Sequence, residues 1–484
     1  MALAVTILYT LSLFYLFLFS LGQLHLTYIY LRKVKGKKPV EPSLKREPFV
    51  TIQLPVYNEK YVVERLIEAV ANIDYPKEKM EVQILDDSTD ETSGIIYQKI
   101  EWLKKSDLNI RHLHRADRKG FKAGALDEGL HSANGDFIVI FDSDFVPAPE
   151  FLKRTLPYFE DPKVGVVQTR WGHINEDYSL ITQIQAFGLD AHFSIEQSAR
   201  NEAGSFINFN GTCGIWRKEC IVDAGGWSAD TLTEDLDLSY RAQLKGWKFK
   251  YLEDVVTPGE LPVVMPVIKL QQYRWNKGAA ETARKLIGKV LRAPLPPLQK
   301  MHAFLHLFNS SVFVALFLAA VLSLPIPFIK NDNPSVDALF KIGLVFLFGF
   351  FSVGIFYWTA TKRFYTSPGH KFIILFPAFL VVSMGLCLHN SIAVLEGWLG
   401  RKTPFIRTPK FNIVQKRDPW SHNTYLSSKV NLITLLEGAL CACFIFAMVK
   451  GVEMEQTSLL IFHGMLAIGF GTVFLSSLKP WANA

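Results

Sequence analysis

Residues 3–30, LAVTILYTLSLFYLFLFSLGQLHLTYIY, contain no charged side chain unless His25 is protonated. A helix crossing the hydrocarbon core of a bilayer needs about 20 apolar residues, so this stretch predicts a transmembrane helix. A secretory leader would have a shorter apolar core, a small-residue cleavage site and basic residues ahead of the core. Here the basic run LRKVKGKK follows the core. The positive-inside rule then puts the N-terminus outside and residue 31 onward in the cytoplasm. Apolar runs return at 303–329, 337–360, 372–388, 430–449 and 457–478. The mean hydropathy of +0.16 agrees with membrane content. The net charge of +7 comes with basic residues beside the apolar runs. That pattern suits anionic lipid, and with no nucleic-acid-binding motif it excludes nucleic acid as a partner. Cys213, Cys220, Cys387, Cys441 and Cys443 have no metal-ligand spacing and read as small hydrophobes.

From Glu41 to about Lys300 the texture changes. FVTIQLPVYN, EVQILDDST, NIRHLHR, DFIVIFDSD and KVGVVQT read as strands, and 59–73, 91–106, 120–133 and 149–159 show helical periodicity. Such alternation predicts an α/β fold with a mostly parallel sheet covered on both faces. Ligands bind such sheets beyond the carboxyl ends of the strands. Three runs end there in polar clusters: Asn58-Glu59, Asp86-Asp87 and Asp142-Ser143-Asp144. Two carboxylates one residue apart repel each other and are costly to desolvate. Asp142 and Asp144 therefore suit a hard divalent cation, Mg²⁺ or Mn²⁺, shared with phosphate oxygens. In RKGFKAGALDEGL (118–130), Gly120 and Gly124 permit close backbone approach, while Lys119 and Lys122 offer point charges for phosphate. Thr233-Glu234-Asp235 opens a further helix, where its side chains could also serve as ordinary N-terminal caps.

Asp86/Asp87, Asp142-x-Asp144, Thr233-Glu234-Asp235 and Gln271-x-x-Arg274-Trp275, in this order and spacing, resemble the processive family 2 glycosyltransferases. The wording LDDSTD, RKGFKAGAL, FNGTCGIWR and QQYRW is most similar to the cellulose-synthase-like A and C proteins (mannan, glucomannan and glucan synthases) and their bacterial relatives. The resemblance implies a glycosyltransferase A-type, Rossmann-like domain at 41–292, between an N-terminal transmembrane helix at 1–32 and a membrane channel region at 293–484. It implies that Tyr57 and Glu59 flank the nucleotide base, that Asp86 or Asp87 contacts the nucleotide, and that Lys122 and Gln271 belong to the donor site. Asp142 and Asp144 would hold Mg²⁺ or Mn²⁺ against the diphosphate. Asp235, with Glu234 beside it, would be the catalytic base; Arg274 would steady the leaving diphosphate and Trp275 would stack on the acceptor sugar. Asn210-Gly211-Thr212 match the acceptor segment but depart from the Cys-Gly-Ser-like run of cellulose synthases. PFIRTPK (404–410) resembles their Phe-x-Val-Thr-x-Lys gating loop, with Phe405, Thr408 and Lys410 matched and Arg407 in place of Val.

The implied partners are a nucleotide sugar, UDP-glucose or GDP-mannose, a growing glycan, and the bilayer. A glycolipid synthase using a lipid acceptor is the alternative. A transporter should show paired repeats with features at mid-membrane, and none is visible. The topology carries a parity conflict. If 372–388 spans the membrane, the basic loop 398–428 falls outside, against its charge. That run is short, Pro377 interrupts it and an amphipathic stretch follows, so 372–400 is expected to be partly interfacial or re-entrant, leaving five full spans.

Overall fold

The computed structural model describes residues 2–36, 42–104, 107–332, 346–421, 423–426 and 430–482. Its centre is one sheet built from β1 (Val50–Val56), β2 (Met80–Asp86), β3 (Asn109–His114), β4 (Phe137–Ile140), β5 (Val164–His173), β6 (Gly214–Arg217) and β7 (Lys248–Gly259). The order is β3-β2-β1-β4-β6-β5-β7. β1 pairs in parallel with β2 and β4, β2 with β3, and β5 with β7. β1 and β2 are buried along almost their whole length, because helices cover both faces. Val63–Ala71 and Thr92–Leu103 pack on one face, and Phe121–Ser132 with Glu234–Leu244 on the other. The polar residues inside these strands are matched across them. Gln53 donates to Gln83 at 3.0 Å and Thr51 to Glu81 at 2.6 Å, each pair directly opposed in the ladder. A one-residue slip would bury these groups unpaired, so they help set the register.

Five strands and their helices lie where the periodicity puts them. The other two were not anticipated, and one of them, β6, makes the sheet mixed. β6 runs antiparallel to both β4 and β5. Its four residues, GIWR, are too few for a periodic signal. The turn that reverses the chain uses left-handed backbone at Gly211 (φ 78°) and Cys213 (φ 59°), and a cysteine gives no sequence hint of that. β7 alternates exposed and buried residues at its start, as a sheet-edge strand does.

Helix Ala2–Ile29 continues through a π-helical turn to Val34. Among the described residues four helical segments are long and apolar enough to cross a membrane: 2–34, 368–385, 432–453 and 457–478. Pro297–Leu307 and Asn309–Ser323, bent by 53°, would make a fifth together. The apolar run 337–360 begins in residues that lie outside the described ones; its described part is helix Leu347–Phe364. Pro377 does not interrupt its segment, a correction to the expectation: Pro368–Gly385 is one continuous helix. A proline costs a helix one hydrogen bond, and neighbouring helices tolerate this in membrane segments. Here Gly385 meets Gly469 so closely that a Cβ would stand 2.3 Å from the Gly469 carbonyl oxygen, a small-residue contact typical of membrane helices.

Helix Cys387–Leu399 follows after the single residue Leu386, itself in right-handed helical backbone (φ −81°, ψ −6°). Near the start of this pair Lys371 donates to Gln183 at 3.1 Å, and near its end Glu396 lies 3.5 Å from Lys277 on helix Met265–Arg292. The segment that follows lies against the catalytic domain, with Tyr178 donating to the Asp418 carbonyl at 3.0 Å. Single cysteines at Lys119 and Lys416, both exposed, should therefore be labelled by an impermeant maleimide from the same side of the membrane. Labelling from opposite sides would contradict this path.

Candidate active site

Because β2, β1 and β4 are adjacent, the residues after their carboxyl ends open into a single cleft. Tyr57 and Glu59 follow β1, Asp87 follows β2, and Asp142 and Asp144 follow β4. Lys122, Asn210, Gly211, Glu234, Asp235, Gln271, Arg274 and Trp275 complete the wall, and Phe405, Arg407, Thr408 and Lys410 lie across it. Of the residues singled out from sequence, Asn58, Asp86, Lys119, Gly120, Gly124 and Thr212 do not line the cleft. Asp86 is fully buried behind it, accepting from Ser88 N (2.8 Å) and Ser93 Oγ (2.6 Å) and bonded to His112 (2.8 Å) and His114 (3.2 Å). These partners use up its acceptor sites, so the Asp86–His112–His114 cluster reads as a closed hydrogen-bond knot. Thr212 lies beneath the wall, and its Oγ1 accepts from the Asp142 N–H at 2.8 Å. The acceptor-like segment thereby holds Asp142 in place. Lys119 is exposed; Gly124 is required by the Lys119 carbonyl oxygen, which would stand 2.1 Å from a Cβ there.

Each carboxylate in the cleft has a cationic neighbour. Lys122 Nζ is 2.6 Å from Asp142, 2.9 Å from the Gly211 carbonyl oxygen and 3.9 Å from Glu234. Lys410 Nζ is 2.8 Å from Asp144, and Arg407 is 3.0 Å from Glu59. Arg115 holds Asp87 through two bonds of 2.7 and 2.6 Å. Glu234 and Asp235 open helix Glu234–Leu244, and Gly278 sets where that helix starts. A Cβ on Gly278 would stand 2.5 Å from Thr233 Cγ2, so only glycine lets helix Met265–Arg292 approach this closely. Burial, then the adjacent Glu234, pushes the Asp235 carboxyl up to about 7, with Lys122 opposing. Burial likewise raises Glu59 to about 7 against Arg407 and Lys410.

A family model described as "Glycosyltransferase like family 2" matches residues 48–278. "Glucomannan 4-beta-mannosyltransferase 7" of Arabidopsis thaliana is 32% identical over 441 residues, covering 88% of this chain and 77% of that protein. The chain belongs to glycosyltransferase family 2. Another relative, "Glucomannan 4-beta-mannosyltransferase 1" of Cyamopsis tetragonoloba, is 40% identical over 287 residues, and the match spans about half of its length (53%) and 57% of this chain. Among solved structures, mannosyltransferase PcManGT from Pyrobaculum calidifontis, in complex with GDP-Man and Mn²⁺, matches with a TM-score of 0.55 at 21% identity. That match covers 82% of this chain and 99% of the other; at such identity the likeness is one of fold.

The enzyme is thus a hexosyltransferase of the cellulose-synthase-like group with a glycosyltransferase A-like domain. Asp142 and Asp144 fit a divalent cation. Their oxygens suit a hard ion, and Asp144 Oδ1 is buried with no hydrogen-bond partner. Arg274 Nε and Asn210 Nδ2 are also buried donors without partners in the cleft wall. Sequence reading missed several residues. The Arg118 guanidinium lies 3.4 Å over the Tyr57 ring, a ready-made planar platform. His173, bonded to Asp190 at 3.1 Å, and Glu260 line the wall. Arg118 lies within a quoted motif and its charge was a usable signal; His173 and Glu260 carried none.

Asp235 can accept a proton only when ionised. Activity should therefore fall as pH drops through about 7, well above the ordinary carboxylate value of about 4. Asp235→Asn should lower the rate by about 10²–10⁴-fold and remove that acid limb; a mutant within threefold of wild type would show that another group takes the proton. Gly211→Ala should also fail. Its φ is left-handed, and the new Cβ would stand 3.0 Å from Asp235 Oδ2. A shift of about 1 Å in the base costs about 100-fold in rate, measurable by transfer assay.

Proposed function

We propose that this enzyme transfers mannose from GDP-mannose to the end of a growing β-linked mannan or glucomannan, keeps the chain between transfers, and passes it toward the membrane region. The convergence of Asp142/Asp144, Asp235, Arg274 and Trp275 on one cleft carries the reading. The glucomannan mannosyltransferases among its relatives favour mannose over glucose. Tyr57, Arg118 and Asp87 would take the nucleoside; Lys122, Lys410 and Arg274 would meet the diphosphate. A bound Mg²⁺ or Mn²⁺ on Asp142 and Asp144 would oppose the negative charge that develops on the leaving diphosphate. Asp235 would remove the proton from the attacking acceptor hydroxyl, and attack from the side opposite the diphosphate would invert the anomeric carbon. Glu234 would help hold the Asp235 proton affinity high. Trp275, 6.5 Å between ring centroids from Trp171, would give the terminal sugar an aromatic face.

Purified protein incubated separately with GDP-mannose and UDP-glucose, each with Mn²⁺ or Mg²⁺, tests the reading by product size and linkage analysis. A polymer from GDP-mannose is expected; a lipid-extractable monosaccharide product would overturn it. Within the polymer reading the two neighbouring residues should separate. A stacked aromatic contact is worth on the order of 1 kcal/mol, so Trp275→Ala should release product roughly fivefold faster and shorten chains. Arg274→Ala should slow every transfer, because its loss falls on the transition state. Equal rate loss with unchanged product length in both mutants would refute this division of roles.

A further inference from the structure

We infer that Lys410 and Lys122 keep the two cation-binding aspartates charge-paired until a diphosphate arrives, so that a divalent cation binds tightly only together with the nucleotide. The inference rests on the assignment of Asp142 and Asp144 as cation ligands. Lys410 Nζ lies 2.8 Å from Asp144 Oδ2, with the two side chains 18% and 4% exposed. Lys122 Nζ lies 2.6 Å from Asp142 Oδ1. Each ammonium thus sits on an oxygen that a cation would need. A cation arriving alone meets two ammonium groups beside its ligands, and displacing Lys410 would leave a largely buried positive charge without its ion-pair partner, which is strongly unfavourable. Among the described residues Asp144 is the one ion-pair partner shown for Lys410. A nucleoside diphosphate brings anionic oxygens that take over both lysines while the cation takes the aspartates. The carboxylates exchange partners, and no buried charge is left unpaired.

The exchange needs the lysine side chain to move, not the segment that carries it. That segment is fastened independently. Glu260 accepts from Phe411 N at 2.9 Å and Asn412 N at 3.0 Å, and Arg65 donates to the Asn412 side chain at 2.7 Å. Arg274 donates to Thr408 at 2.8 Å, and Asn423 donates to the Lys410 carbonyl at 2.6 Å. The flexible stem of Lys410 can swing from carboxylate to phosphate while its backbone stays in place. Asp144 Oδ1, buried and without a hydrogen-bond partner, stays open to a cation.

Binding linkage is reciprocal, so the factor by which nucleotide tightens cation binding equals the factor by which cation tightens nucleotide binding. The test is a Mn²⁺ titration of the full chain in nanodiscs, with and without GDP. Free Mn²⁺ is read by electron paramagnetic resonance, after subtracting the Mn²⁺ held by GDP alone. In wild type, GDP should tighten Mn²⁺ binding by about tenfold or more. Lys410→Gln should bind Mn²⁺ without GDP about tenfold more tightly than wild type and show a smaller effect of GDP. Lys416→Gln, an exposed position on the same segment, should match wild type. Equal wild-type affinity with and without GDP would overturn the inference, and that comparison needs no mutant. Unchanged or weaker Mn²⁺ binding in a folded Lys410→Gln would overturn it as well. Absence of Mn²⁺ binding even with GDP would remove the ligand assignment, and the inference with it; transfer activity measured alongside tells the two failures apart.

Discussion

The crowding of like charge in one cleft is the constraint from which the rest of this structure follows. Glu59, Asp87, Asp142, Asp144, Glu234, Asp235 and Glu260 all line it. Carboxylates at such spacing repel one another and lose solvation, so they require cations from elsewhere in the chain. Arg118, Lys122 and Arg274 come from the catalytic domain and its long helix, while Arg407 and Lys410 come from a segment far along the chain. The segment at 404–412 is therefore part of the charge balance of the site as well as its cover. Without it, Glu59 and Asp144 would each lose the cation paired with it.

Helix Met265–Arg292 joins this balance to the membrane region. At Gly278 it presses against Thr233 and so locates Glu234 and Asp235. One turn earlier it carries Arg274 and Trp275 into the cleft. On another face Tyr273 bonds Glu396, and Lys277 donates to Thr403 at 2.8 Å, anchoring the base of the covering segment. Near its start Lys269 forms a buried ion pair of 2.8 Å with Glu437 on helix Leu432–Glu453. Removing one partner of such a pair is far more costly than its net contribution suggests, because the other charge is left buried. A single element thus holds Asp235, Arg274, Trp275 and helix Leu432–Glu453 in fixed relation. Under the proposed function, this fixed relation would let a product leave toward the membrane region without disturbing the reacting groups.

Much of the site was legible because its residues carry local signals. Strand periodicity followed by an acidic tip marks the carboxyl edge of a sheet, and three such tips predict one cleft whatever the strand order. Asp142 and Asp144 were legible in this way, Thr233-Glu234-Asp235 and Gln271-x-x-Arg274-Trp275 through the resemblance to family 2 glycosyltransferases, and the structure brings them to one wall. Other features had no local signal. Neighbouring residues at a strand end point to opposite faces, so one of Asp86 and Asp87 had to turn away, but only the packing of β3, with His112 and His114, decides that it is Asp86. β6 is antiparallel because the chain reverses through left-handed residues, one of them a cysteine.

The sequence by itself determined the parts: an α/β domain, apolar segments long enough to cross a membrane, the family, and the acidic, basic and aromatic residues of the cleft. Periodicity, hydropathy and motif spacing are properties of consecutive residues and need no knowledge of what lies across the fold. The tertiary structure alone decided the pairings: Lys410 with Asp144, Arg407 with Glu59, Glu260 with the backbone of Phe411 and Asn412, and Gly278 with Thr233. These contacts join elements distant along the chain. Which cation meets which carboxylate depends on how a sheet, a long helix and the segment at 404–412 pack together, and no local pattern encodes that.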